Sequence, residues 1–224
     1  MLSVFDPGYR KGGDDLSYIE NIYVCLAAPM FLAILCLRKN SRQSLIFVLS
    51  GMTACLLSAY VSTYLAGLTR TDIVTASYEI APVVEEVIKS LPILFYLLVF
   101  EPDKKNTYSG TLMVSLGFAT FENVCFLTSY GTSELLRLLI RGFGTGAMHV
   151  VYGMVVAVGL FFLWDQIWLQ AVGAFALLCF VITFHAIFNL FVNQSGVIFW
   201  IGSAIPLIVI FIYMLFLHRE VDLS

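Results

Sequence analysis

The chain has 224 residues, of which 60% are hydrophobic and only 12% charged, and its net charge is −3. Soluble domains carry roughly 25% charged residues, so this composition excludes one and indicates an all-α, polytopic transmembrane helical bundle. The absence of a basic patch argues against a nucleic-acid partner, and Cys25, Cys36, Cys55, Cys125 and Cys179 lack the spacing of a disulfide framework or a metal knuckle.

The first twenty residues contain Asp6, Arg10, Lys11, Asp14, Asp15 and Glu20, so no apolar cleavable signal is expected there and the first membrane helix directs insertion. The apolar runs then resolve into about seven spans of the ~20 residues that a bilayer needs. They are predicted at about 18–37, 44–68, 79–100, 109–130, 143–164, 168–193 and 196–217. The connections are Arg38-Lys39-Asn40-Ser41-Arg42, a 69–78 loop, Glu101-Pro102-Asp103-Lys104-Lys105-Asn106, Gly131-Thr132-Ser133-Glu134 and Asp165-Gln166. Residues 134–142, with Arg137 and Arg141, read as a short amphipathic helix leading into the fifth span. One transmembrane domain over 1–224 is predicted, with its motif-bearing core at about 79–193. The lysine and arginine distribution among the loops favours an external N-terminus and a cytoplasmic C-terminus.

The third span is the unusual one. Glu85, Glu86 and Lys89 interrupt an apolar, membrane-length run, and on a helix Lys89 lies one turn from both acids. Three ionisable groups in hydrocarbon cost several kcal/mol unless they face a polar interior, so they mark either a structural ion pair or a functional site. Other polar residues sit at membrane depth. The fourth span carries Glu122 and Asn123; the fifth stacks Arg141, Thr145 and His149 on one face; the sixth pairs His185 with Asn189 at i, i+4. The run Gly142-x-Gly144-x-Gly146 lacks dinucleotide-binding spacing, and small residues there let helices approach closely.

Depth links these residues. Consecutive spans are antiparallel, and at ~1.5 Å per residue Glu85, Glu86, Glu122, His149 and His185 all fall about 9–12 Å below the same face. A shared depth argues for one shared site. Carboxylates beside histidines and an amide suit hydrolysis, with a glutamate taking a proton from water. Alternatively, His149, His185 and Glu122 form a His₂Glu set able to hold Zn²⁺, with another glutamate as base.

Taken together, Glu85-Glu86-x-x-Lys89, Glu122-Asn123 after Gly117-Phe118-Ala119, Arg141 with His149, and His185-x-x-x-Asn189 resemble the motif series of the PrsW family of intramembrane proteases. That family belongs to the wider superfamily of CAAX-processing and bacteriocin-related membrane proteases. The resemblance covers about 80–195. It implies peptide-bond hydrolysis at or within a bacterial cell membrane, with Glu85, Glu86, Glu122, His149 and His185 catalytic and Lys89, Asn123, Arg141 and Asn189 in support. The implied partners are the lipid bilayer and a single-span membrane protein, in the best-known members an anti-sigma factor receiving its first cut. Metal-dependent and metal-free glutamate mechanisms both fit the motifs. The competing classes are a proton- or metal-coupled transporter, a CAAX-type protease acting from the cytoplasmic side, and a helix-binding scaffold. The expected cut lies near the extracytoplasmic boundary, with the 134–142 segment and its glycine run as a mobile gate.

Overall fold

The computed structural model describes residues 18–100, 103–130, 135–163 and 167–222. These form α1 (Tyr18–Cys36), α2 (Lys39–Thr69), α3 (Ile73–Glu79), α4 (Ala81–Phe100), α5 (Lys104–Tyr130), α6 (Leu135–Leu163), α7 (Ile167–Val192) and α8 (Val197–Asp222), with no strand among the described residues. The predicted polar N-terminus, the 101–102 and 165–166 turn residues and the 131–134 loop lie outside the described residues, as do the side chains of Arg137 and Arg141.

Six helices, all except α3 and α4, are long and apolar enough to cross a membrane. At 20 residues α4 is also of membrane length, about 30 Å at ~1.5 Å per residue, but it carries the three ionisable groups. This agrees with the seven predicted spans.

Two local expectations change. The 69–78 loop contains α3. Arg70 stops α2 in the left-handed conformation at φ 55°, and its N–H returns to the Gly67 carbonyl. Two residues on, Asp72 accepts a hydrogen bond of 3.0 Å from the Thr75 N–H and starts α3. The Thr75 side chain and amide hold the Asp72 carboxyl below the usual carboxylate range. Second, the 134–142 segment is no separate helix, because α6 runs unbroken from Leu135 to Leu163. At Gly144 this helix packs against α8, since a Cβ there would lie 3.5 Å from the Ser203 carbonyl oxygen.

The tightest seam joins α2 to α5. A Cβ at Gly51 would collide with the Val114 carbonyl oxygen, and one at Gly117 with that of Val48, so backbone meets backbone. Cys55, Phe118, Phe121 and Cys125 are fully buried beside that seam. α4 lies against α2, α5 and α7, and α6 packs on α5, α7 and α8. Outward faces are apolar, with Trp168 87% and Leu98 71% exposed, as suits a lipid-facing surface. Beside its apolar clusters the interior holds Ser58, Ser62, Thr111, Thr145 and the ionisable groups.

Candidate active site

Four helices each bring part of one polar cluster into the bundle. Pro82 sits in the first turn of α4, where a missing N–H leaves no gap in the helix ladder; Glu85 and Glu86 one turn later and Lys89 a turn beyond them are buried. α5 supplies Glu122, α6 His149 and α7 His185. Exposure is 3% for Glu85, 2% for Glu86, 6% for Lys89 and Glu122, 0% for His149 and 1% for His185. The cluster lies nearer the face of the 70–72 and 193–196 turns. Along their helices, Glu85 is about 6 Å and His185 about 10 Å from that end, at ~1.5 Å per residue.

The three carboxylates have different surroundings. Glu86 Oε1 accepts from Lys89 Nζ at 2.6 Å and lies 2.8 Å from His185 Nδ1. Glu122 Oε2 lies 2.6 Å from His149 Nε2, and His149 Nδ1 lies 3.1 Å from Lys89 Nζ. An ammonium only donates, so His149 Nδ1 accepts from Lys89 and its Nε2–H donates to Glu122. By the same reasoning His185 donates Nδ1–H to ionised Glu86, which leaves its Nε2 lone pair 3.7 Å from Glu85 Oε2. That Glu85 oxygen is buried without a hydrogen-bond partner among the described residues. Each histidine is thus oriented by a carboxylate from another helix, and the third carboxylate is left open.

These positions suit a divalent cation. Glu85, His149 and His185 each offer a ligand atom within 4.8 Å of the others, His149 through its Nδ1 once the Lys89 ammonium gives up that lone pair. With all three acids ionised and Lys89 charged, the described cluster carries two excess negative charges. The carboxylate–histidine pairs Glu86–His185 and Glu122–His149 are the usual outer partners of metal-binding imidazoles. Relative to the predicted ligand set, Glu85 occupies the place assigned to Glu122.

Residues 40–217 match the pattern of the PrsW family intramembrane metalloproteases. The chain belongs to that family. No curated protein and no solved structure matches it. Family membership, together with six membrane-length apolar helices, makes it a multi-pass membrane protein and an intramembrane peptidase by descent, with a membrane-protein substrate.

In this PrsW-family chain the predicted supporting residues divide. Lys89 lies inside the cluster. Asn123 Nδ2 donates to the Gly142 carbonyl at 3.3 Å and ties α5 to α6. Asn189 Nδ2 donates to the Ser77 carbonyl at 2.8 Å, and Asn193 Nδ2 to the Ser77 hydroxyl at 2.8 Å, so α7 holds α3 over the site. Both amides are structural ties in this arrangement. Two aromatic residues at the cluster were not among the predicted site residues, although Phe118 belongs to the Gly117-Phe118-Ala119 motif. Phe118 places its ring 5.1 Å from Lys89 Nζ and 5.0 Å from the His149 ring, which gives the ammonium a π face in place of water. Tyr152 packs 6.0 Å from the His185 ring. It stands three residues after His149, a same-face spacing that a helical projection from the histidine would have shown.

Proposed function

We propose that the chain is an endopeptidase of a bacterial plasma membrane that cuts a single-span, membrane-anchored protein near its extracytoplasmic boundary, with an anti-sigma factor as the favoured substrate class. One observation carries the chemistry: a buried Glu85 oxygen without a hydrogen-bond partner, 3.7 Å from an imidazole nitrogen whose ring is held from behind by Glu86.

Glu85 takes a proton from water as the water oxygen bonds to the scissile carbonyl carbon, and returns that proton to the departing amide nitrogen when the C–N bond breaks. His185, oriented by Glu86, helps to position the water. Lys89 offsets the charge of Glu86, so that Glu86 remains a hydrogen-bond acceptor for His185. Glu122 fixes the ring of His149 in the same way. Zn²⁺ or a similar ion held by Glu85, His149 and His185 would supply Lewis acidity toward the scissile carbonyl. As a ligand Glu85 would lose basicity, and the proton would then pass to a second carboxylate of the cluster, Glu86 or Glu122.

The site's position supports the location of the cut. It lies near the end of the bundle that holds the 70–72 turn, which the charge bias of the loops makes external. A substrate helix can unwind there and expose its carbonyls with water close by. Purified full-length protein in vesicles, given synthetic single-span peptides, should release two fragments cut within a few residues of that boundary. Intact peptide after prolonged incubation with folded, metal-replete protein would sink the reading.

A further inference from the structure

A cavity of about 460 Å³ lies directly beside the cluster between α4, α5, α6 and α7, open toward the lipid side at Leu98 and Phe175. Its polar end is Glu86 and Lys89, and it continues along α4 as far as Leu98, twelve residues or about 18 Å away at ~1.5 Å per residue. It therefore runs from the reacting groups away from the nearby 70–72 face, through the membrane interior. Beyond the polar end the walls are mostly apolar, including Ile93, Val156, Ala174 and Leu178. Small residues on α7 leave room for it: Ala171 and Ala174 present little bulk, while Gly153 lets α6 close on Ser115 of α5 beside it.

We propose that this cavity is the specificity pocket, which takes large aliphatic or aromatic side chains of the substrate on the side of the scissile bond toward the 37–38 face. The proposal rests on the peptidase reading above and adds the class of residue selected. Size supports it: an apolar cavity of roughly 150 Å³ holds a benzene ring, and this one is about three times larger, enough for two bulky side chains. Continuity supports it as well. Any occupant reaching the polar end meets Glu86 and Lys89. A phospholipid tail entering at the exposed Leu98 end would bring only hydrocarbon to Glu86 and Lys89, where a peptide brings a polar carbonyl. Side chains flanking the bond to be cut meet both conditions.

The test uses full-length protein in phosphatidylethanolamine–phosphatidylglycerol vesicles and two single-span peptides that differ only in Phe or Ala at the three positions on that side of the cut. Unaltered protein should prefer the Phe peptide at least tenfold in kcat/KM. Ala174→Phe fills the pocket and should reverse that preference, with the Phe-to-Ala ratio of kcat/KM falling below one. Ala174→Leu, a smaller intrusion, should show the same shift in weaker form and guards against misfolding. An unchanged Phe-to-Ala ratio in both folded variants overturns the proposal. A photoreactive diazirine-phenylalanine in the peptide should crosslink to Leu178 in the Glu85→Gln protein, and this readout needs no cleavage. Crosslinking without cleavage by unaltered protein would leave the pocket standing and remove the peptidase reading. Labelling of Leu178 by a diazirine phospholipid that the peptide cannot displace would overturn the pocket instead.

Discussion

Two seams of this bundle are lined with small residues, and they end in opposite ways. Between α2 and α5, Gly51 and Gly117 bring the backbones into contact and leave no space. On the α4–α7 side, Ala171 and Ala174 border a cavity. The difference lies in what else holds the helices. α2 and α5 meet along a shared apolar core that includes Met52, Cys55 and Phe121. α4 and α7 are joined at the level of the cluster by Glu86 and His185, while α3 is tied to α7 through Ser77. Small residues permit close approach, and the neighbouring contacts decide whether it occurs. One seam is scaffold and the other holds the site.

The largest effect should come from the open carboxylate. Glu85→Gln keeps size and burial but removes the proton acceptor, and should lower cleavage about 10³-fold with unaltered thermal unfolding. A variant that retains half the activity would transfer the role to Glu86 or Glu122. Chelation should bring the unaltered protein to a similar level, with recovery on adding Zn²⁺; full turnover by metal-free protein would end the divalent-ion reading. On the scaffold side, Gly117→Leu drives a side chain into the Val48 carbonyl and should destabilise the fold by about 3 kcal/mol or more, with activity lost only because folded protein is lost. Glu122→Gln sits between the two regions. It keeps a hydrogen bond to His149 but removes the charge, and should reduce activity some 10- to 100-fold, chiefly by weakening metal retention.

The smallest effect belongs to the turn between α2 and α3. Asp72→Ala removes the cap and should lower Tm by no more than about 3 °C at neutral pH, with turnover unchanged. Because the folded carboxyl titrates below its unfolded value, the cap's contribution is present above the ordinary carboxylate pKa of about 3.9. It is lost as pH falls through the folded value, so variant and parent should converge in strong acid. A Tm gap that persists there would mean that α3 depends on a contact other than the Asp72 charge.

Much of this protein is local and can be read from the chain. Apolar run length sets the membrane helices, since each must satisfy its own backbone in hydrocarbon. The same solvent makes Glu85, Glu86, Lys89, Glu122, His149 and His185 conspicuous, and helix rise with alternating direction places them at one depth. Depth, however, leaves rotation about each helix axis open. Whether Lys89 pairs with Glu85 or Glu86, whether Glu122 faces a metal or orients His149, and whether Asn189 reaches the site or Ser77 all depend on how neighbouring helices turn. α3 also escaped notice, because a helix of seven residues has too few positions for a periodic pattern and rests on a cap and its contacts with α7. The cavity belongs wholly to the tertiary structure. Gly51, Gly117, Ala171 and Ala174 are merely small residues in the chain, and only the helix packed opposite each one determines whether it closes a seam or borders the pocket.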